Sequence, residues 1–208
     1  GNLESVGYIQ MTLDALSQAG INIIFEKDKF IIPGNQVYAL PDFPKVEGDW
    51  SNAAFWLCIG ALSGKSITCT GLNHKSSQKD KRIVRILRRF GASVTTTKDS
   101  VTVSSQKLRG IVINAADIPD IVPVLAVVAS SAEGITKITR AGRLRMKESD
   151  RLHSVTTMLK TLGTDITEYP DKLIINGTGT LKGGTTDSFG DHRIAMSAAC
   201  ASVICTDT

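Results

Sequence analysis

The sequence has few features of a membrane protein, a disulfide-rich protein or a zinc protein. No apolar run approaches the roughly 18 residues of a membrane-spanning helix, and the longest, Ile121–Ala129, is interrupted by Pro123. The four cysteines include no Cys-x-x-Cys pair, so buried free thiols are a better prediction than a disulfide framework or a metal site. Free thiols favour a reducing compartment, and we expect a cytoplasmic protein.

Aromatic residues and net charge are also low. Phe, Trp and Tyr make up 5% of the chain, which is little for the base-stacking surfaces of single-strand nucleic-acid proteins. The net charge of +4 permits an anionic ligand without requiring nucleic acid. No P-loop, dinucleotide-binding fingerprint, Ser-His-Asp arrangement or metal-ligand spacing is present. The composition, 42% apolar and 21% charged, is typical of a soluble globular protein.

An internal repeat organises the chain. Gly20, Gly91 and Gly163 recur at intervals of 71 and 72 residues. Each glycine follows an amphipathic helical pattern and precedes two short alternating stretches that are separated by a turn. This pattern predicts a helix that ends at the glycine and is followed by a β-hairpin.

A second series of residues has the same period. Three aspartates 71 residues apart each precede a helical run that is rich in apolar or small residues: Asp49, Asp120 and Asp191. The unit is therefore predicted to run strand, helix, strand, helix, hairpin (βαβαββ), with a sheet that mixes parallel and antiparallel pairs. Because the first helix of each unit is apolar or small on all sides, we predict an α/β (α+β) fold with buried helices beneath outward-facing mixed sheets.

The positions of the repeats also predict the domains. The chain opens at the second helix of one unit, contains two full units over 48–118 and 119–190, and ends within another over 191–208. A unit divided between its halves leaves apolar faces without partners, so we expect a longer protein. Residues 1–47 are predicted to be the tail of a first domain, and 48–208 most of a second.

The densest group of charged residues lies between Arg143 and Arg151. One interpretation is a solvated, basic helix start with Ser149 or Asp150 as the N-cap. The other is an anion pocket, in which arginine forks bind carboxylate or phosphate and Glu148 exchanges a proton. The residues alone leave both open.

The three repeated aspartates have a simpler interpretation as helix caps. We expect that role for Asp49 and Asp191. Asp120 follows Pro119, which stiffens the loop and exposes the carboxylate near a helix N-terminus, so a cap and a chemical role are both open. His192, beside Arg193, is either a pH-sensitive contact or a polar residue at a helix start.

Four segments, taken in order, resemble the 5-enolpyruvylshikimate-3-phosphate (EPSP) synthase family. They are EGDWSNAAFWL, DIPD, RMKESDRL and GDHRIAM, and SVGYIQMTL near the start is similar to a further segment of that family. The resemblance covers essentially the whole chain. It implies two domains, each built from three βαβαββ units around buried helices, an arrangement known as an inside-out barrel.

The resemblance implies an enzyme that transfers the enolpyruvyl group of phosphoenolpyruvate to the 5-hydroxyl of shikimate 3-phosphate and releases phosphate. This reaction belongs to the synthesis of chorismate and the aromatic amino acids. The resemblance further implies that the enzyme needs no metal or organic cofactor, binds no nucleic acid or membrane, and is a monomer at full length.

The motifs also imply roles for individual residues. Asp120 corresponds to a proton acceptor near the shikimate hydroxyls, and Glu148 to a proton donor at the methylene carbon of phosphoenolpyruvate. Tyr8 lies in the segment of a shikimate-phosphate ligand. The substrate ligands implied by the motifs are Ser5 and Lys147 for shikimate 3-phosphate, and Arg151 and Arg193 for phosphoenolpyruvate.

Several segments of the family have no counterpart in these 208 residues, including an N-terminal Lys-Ser-x-x-x-Arg. Because the family's active site lies between two domains, we expect this chain alone to bind substrates weakly and to show no useful turnover. Three alternatives stay open: the sister transferase acting on UDP-N-acetylglucosamine, a degenerate paralogue, and an RNA-binding or structural repeat. The basic stretch 75–89 motivates the last, although it fits a solvated helix face better.

Overall fold

Six α-helices and nine strands form residues 6–207, which are the residues described by the computed structural model. The helices are α1 (Val6–Gln18), α2 (Trp50–Leu62), α3 (Ile83–Phe90), α4 (Val122–Ser131), α5 (Arg151–Thr161) and α6 (His192–Ala201). The strands are β1 (Ile24–Glu26), β2 (Lys29–Ile31), β3 (Ile67–Thr70), β4 (Ser93–Thr96), β5 (Ser100–Ser104), β6 (Val112–Asn114), β7 (Gly134–Thr139), β8 (Asp165–Glu168) and β9 (Leu173–Gly177). Within these residues, no helix combines the length and apolar character needed to cross a membrane.

The second full unit has the predicted βαβαββ order. Strand β6 pairs with β7 in parallel across α4, and β9 pairs antiparallel with both β7 and β8, giving the sheet order β6-β7-β9-β8. Along β9 the buried Leu173 and Ile175 alternate with more exposed residues. One face of the sheet therefore packs on the helices while the other faces outward, as predicted.

The first full unit differs from the prediction. Its sheet has three strands in the order β3-β5-β4, and every pair is antiparallel. Among the described residues 32–49 no strand forms before α2, so the predicted parallel crossover is wrong for this unit. Pro41 and Pro44 lack the backbone N–H that a sheet ladder needs, and a single bond from Gly48 N to Gly71 O (3.1 Å) takes the place of strand pairing.

The repeated glycines end helices as predicted. Gly20, Gly91 and Gly163 have φ values of 77°, 108° and 91°, in the left-handed region that favours glycine. Each is followed by a hairpin, formed by β1–β2, β4–β5 and β8–β9 respectively. The sequence pattern therefore identifies these three structural boundaries correctly.

The core is centred on α4, where nine of ten residues are buried. The prediction that every first helix is buried on all sides is correct only there, because α2 exposes Trp56 and α6 buries only four of its ten residues. Helix α6 packs against α2, α4 and α5. No element of the described chain covers its opposite side, where Ala195 and Ala199 are exposed.

The segment before Glu47 lies outside this core. Among residues 6–47 only Ala19 is a buried apolar residue, and it is not part of the main cluster. Several large apolar side chains there are exposed, including Val37, Phe43 and Val46. The described part of the segment thus contributes almost nothing to the core formed by the two full units.

The central position of α4 gives a stability prediction. Leu125 is fully buried, so Leu125→Ala removes buried methyl groups and leaves a cavity, and we expect the free energy of unfolding to fall by about 2–5 kcal/mol. Leu40→Ala is the matched control, because Leu40 is exposed and should change stability by less than about 0.5 kcal/mol. Urea unfolding of the chain measures both, and equal effects would contradict the proposed location of the core.

Candidate active site

Charged and polar side chains at the starts of several helices contact one another. The aspartates that cap these helices fix their first turns: Asp49 accepts from Ser51 N at α2, Asp150 from His153 N at α5, and Asp191 from Arg193 N at α6. The capping predictions for Asp49 and Asp191 are therefore confirmed, and Asp150 rather than Ser149 caps α5. Because these helix starts face each other, their neighbouring side chains gather in one place.

Asp120 does not cap a helix. It lies in a 3-10 turn, Pro119–Ile121, and the N-cap position of α4 is occupied by Ile121, which makes no side-chain cap. Its carboxylate instead accepts from the Tyr8 hydroxyl at 2.5 Å and from Arg151 Nη1 at 2.7 Å, while Lys147 Nζ lies 3.2 Å from Oδ1. Asp120 thus joins the starts of α1 and α5.

Arg151 is the centre of the cluster. The side chain is only 1% exposed, and each of its three nitrogens contacts a carboxylate. Nε donates to Asp191 at 2.7 Å, Nη1 to Asp120 at 2.7 Å, and Nη2 to Glu148 at 2.6 Å. A buried guanidinium needs such partners, because leaving a charge unpaired away from water is very unfavourable.

The cluster controls the ionisation of its carboxylates. Burial alone raises the pKa of Asp120, but the hydrogen bond from Tyr8 and the charges of Lys147 and Arg151 outweigh burial and hold the pKa at about 2. For Asp191, burial is likewise outweighed by Arg151, and its pKa is lowered. Both groups are therefore ionised at neutral pH and can accept hydrogen bonds.

Arg193 is less completely paired than Arg151. Its Nη2 donates to Ser51 Oγ at 2.9 Å, and its guanidinium carbon lies 5.8 Å from the centre of the Phe55 ring. Nε and Nη1 are buried and have no hydrogen-bond partner. Unsatisfied buried donors are unfavourable, and guanidinium N–H groups donate readily to a carboxylate or phosphate. Arg193 can therefore hold an anion.

The structure brings five of the six predicted site residues together. Asp120, Lys147, Glu148 and Arg151 are linked by direct contacts, and the backbone of Arg193 joins them through Asp191. The side chain of Glu148 is half exposed. The sixth predicted residue, Ser5, lies outside the described residues. Within residues 6–207, no group of three or more His, Cys, Asp and Glu side chains is arranged to hold a metal ion.

Sequence reasoning missed two polar residues of this region. It also missed that Asp191 contacts Arg151 in addition to capping α6. Ser51 contacts Arg193, and Asp80 is a buried carboxylate, 7% exposed. Asp80 is the only acidic residue in the basic stretch 75–89, which sequence analysis interprets by its cations. The signal that could have identified Asp80 was a single acidic residue among several cationic ones, in a loop next to a helix start.

The fold matches that of the enolpyruvyl transferases. EPSP synthase from Acinetobacter baumannii superposes with a TM-score of 0.80 at 27% identity, over 94% of this chain and 48% of that one. The enolpyruvyl transferase NikO from Streptomyces tendae has the same fold at 20% identity, with a TM-score of 0.68 over 99% of this chain and 48% of its own.

The sequence comparisons define the family more narrowly. The sequence model of EPSP synthase (3-phosphoshikimate 1-carboxyvinyltransferase) matches residues 1–208, and the chain belongs to this family. The 3-phosphoshikimate 1-carboxyvinyltransferase of Clostridium acetobutylicum is 48% identical over 210 residues, and that of Clostridium kluyveri 45% over 206. These matches cover 100% and 99% of this chain but 48% of each relative, so the chain spans about half the length of the curated relatives it matches.

The pairing of Arg151 gives a second prediction. Arg151→Met leaves Asp191 and Asp120 without their main counter-charge, so we expect the free energy of unfolding to fall by about 3–5 kcal/mol at neutral pH. The lowered pKa of Asp120 stabilises the fold above its ordinary value of 3.8, and this contribution is lost as pH falls towards 2. The difference between the two proteins should therefore shrink in acid.

Urea unfolding across that pH range measures the effect of Arg151→Met. Arg85→Met is the control, since Arg85 is exposed on α3 and its replacement should change stability by less than about 0.5 kcal/mol. A difference between Arg151→Met and the unmodified chain that is constant from neutral to acid pH would show that the carboxylates do not depend on Arg151.

Proposed function

We propose that this chain supplies one side of a site that transfers the enolpyruvyl group of phosphoenolpyruvate to the 5-hydroxyl of shikimate 3-phosphate, with release of phosphate. Membership of the EPSP synthase family and the names of the relatives support this proposal. The observation that carries it is Arg193, whose buried Nε and Nη1 have no partner beside a cluster of ionised carboxylates. The family match favours this activity over transfer to UDP-N-acetylglucosamine or binding of RNA.

Arg193 is the proposed ligand of phosphoenolpyruvate. A carboxylate or phosphate oxygen that accepts from Nε or from Nη1 would satisfy a donor that has no protein partner. Arg151 lies nearby but already contacts three carboxylates. It would reach the same substrate only through Nη2, if Glu148 moved aside. Of the two arginines, Arg193 therefore makes the first contact in this proposal.

Asp120 is the proposed acceptor of the hydroxyl proton. It is ionised, and Lys147 and Arg151 orient one of its oxygens. The other oxygen accepts from Tyr8, so the 5-hydroxyl of the substrate would replace or join the Tyr8 hydroxyl there. Proton removal makes the substrate oxygen a better nucleophile for C2 of phosphoenolpyruvate.

Glu148 is the proposed partner for the methylene carbon. Its half-exposed carboxylate can approach a substrate. In its protonated form it would donate a proton to C3 as the oxygen attacks C2, forming a tetrahedral ketal. It would take a proton back from C3 as the bond between C2 and the phosphate oxygen breaks, and the proton held by Asp120 would leave with the phosphate. The cationic side chains around it would stabilise the negative charge of both substrates.

The remaining assignments follow from the same family. Lys147 is a proposed ligand of shikimate 3-phosphate together with Ser5. We also propose that residues 1–47 are the tail of one domain and 48–208 most of another, which is supported by the near absence of residues 6–47 from the core. The proposed enzyme is a cytoplasmic monomer at full length that needs no metal or organic cofactor.

Binding to Arg193 can be tested on the chain itself. We expect phosphoenolpyruvate to shift the Nε resonance of Arg193 in an NMR titration, with weak affinity because the chain spans only half of its relatives. Arg193→Lys loses the guanidinium donors, and the affinity should fall about tenfold or more. Arg85→Lys, at an exposed position, should leave the affinity unchanged. If phosphoenolpyruvate perturbs no arginine resonance of the chain, the proposal is overturned.

The chemistry can be tested by adding the complementary half of the Clostridium acetobutylicum relative and measuring release of phosphate. Glu148→Gln keeps the shape but loses the titratable proton, so turnover should fall by about 10²–10⁴-fold with little change in substrate affinity. Glu133→Gln is the control, because Glu133 is an exposed partner of Lys107. Turnover that Glu148→Gln leaves unchanged would remove Glu148 from the mechanism, and efficient turnover by the 208-residue chain alone would contradict the expected need for a second half.

A further inference from the structure

Asp80 is a buried carboxylate that the proposed reaction does not use. It is 7% exposed, and its Oδ1 is buried without a hydrogen-bond partner. It lies in the 3-10 turn Lys79–Arg82, which packs against α2 and continues into α3. A carboxylate in such a place has lost its hydration and has not fully replaced it.

The loop before Asp80 is held firmly, so the side chain cannot easily turn to solvent. Ser76 Oγ and Gln78 Nε2 donate to Glu47 at 2.6 and 2.8 Å, and Gln78 Oε1 accepts from Trp50 N at 2.8 Å. Ser76 and Gln78 are themselves buried. Alternate residues of this loop thus face inward, and the third of them is Asp80.

The charges that act on Asp80 come from four residues of the candidate site. Burial is the main cause that raises its pKa to about 7, and the carboxylates of Asp120 and Asp49 raise it further, against the opposing effects of Arg193 and Lys147. Asp80 in turn raises the pKa of Tyr8 on α1. Of the two lysines that flank it in sequence, Lys79 is exposed with its stem against Gly7, and Lys81 donates to the carbonyls of His74 and Ser76.

We propose that Asp80 adjusts the charge of the anion site at Arg193, and that Asp80 takes up a proton from solvent when an anion binds that arginine. This inference rests on the proposed anion site. With the site empty, an ionised Asp80 balances part of the charge of Arg193. When the anion is bound, its negative charge and that of Asp80 act on the same region, and protonation of Asp80 removes one of them.

The proposal fixes the direction of a pH effect. The anion favours the protonated form of Asp80. The affinity of the chain for the anion should therefore fall as pH rises through about 7, where Asp80 of the anion-free chain loses its proton. Each pKa unit by which the anion raises the pKa of Asp80 corresponds to about a tenfold change in affinity between the two limits. Asp80→Asn, which is neutral at all pH values and similar in shape, should lose this dependence.

The test is an NMR titration of the chain with phosphoenolpyruvate at pH values on both sides of neutral. The dissociation constant of the unmodified chain should rise across that range about tenfold more than that of Asp80→Asn. Asp117→Asn is the matched control, because Asp117 is an exposed partner of Arg82, and it should behave as the unmodified chain. The phosphate of the ligand titrates at about pH 6 and affects all three proteins alike.

A second measurement uses the unmodified chain, so it does not depend on whether a variant folds. The carboxyl carbon resonance of Asp80 in the unmodified chain should titrate near neutral pH and move to higher pH when phosphoenolpyruvate saturates the shift of Arg193. A midpoint near the ordinary value of about 4, or one that the ligand leaves in place, overturns the role of Asp80 while the anion site stands. Failure of phosphoenolpyruvate to perturb Arg193 overturns both proposals.

Discussion

The buried guanidinium of Arg151 is the interaction on which the geometry of the candidate site depends. Three carboxylates from separate parts of the chain, Asp120, Glu148 and Asp191, converge on its three nitrogens. Arg151 and Asp191 could not be buried alone, because the penalty for removing a charge from water is repaid only by close partners. The starts of α4, α5 and α6 are therefore held together by charge as well as by apolar contacts. The same cluster keeps Asp120 ionised. The side chains that hold the helix starts together therefore also determine the charge state of the site.

The repeat explains how one structural position acquired different chemistry. Asp49 and Asp191 occupy equivalent positions and cap their helices. Asp120 has the same spacing, but Pro119 begins a 3-10 turn before α4 and the carboxylate is not used as a cap. It is thus free to contact Tyr8, Lys147 and Arg151. A change of one turn in the local backbone therefore distinguishes an aspartate that caps a helix from an aspartate whose carboxylate faces the site.

Period and glycine positions were enough to predict the order of the second full unit, the hairpins and the helix ends, because local backbone preferences determine these features. The missing strand before α2 depends on Pro41 and Pro44 and on side chains 26–31 residues away that hold Glu47 and Gly48, which no local pattern records. The site was predictable where family motifs carried it, as at Glu148 and Arg193. The contact of Asp191 with Arg151 and the burial of Asp80 were not predictable from the sequence, because both depend on which helix starts meet in three dimensions.

The contrast between Arg151 and Arg193 shows how the site divides stability from binding. Arg151 has all three nitrogens paired and stabilises the fold, whereas Arg193 keeps two buried nitrogens without partners. Asp80, the nearby buried acid, has an unpaired oxygen as well. Unsatisfied groups of both signs in one region destabilise the empty site, and an anion that satisfies Arg193 recovers that free energy as affinity. The region of the fold that is least well satisfied is therefore the region where a charged ligand has most to gain.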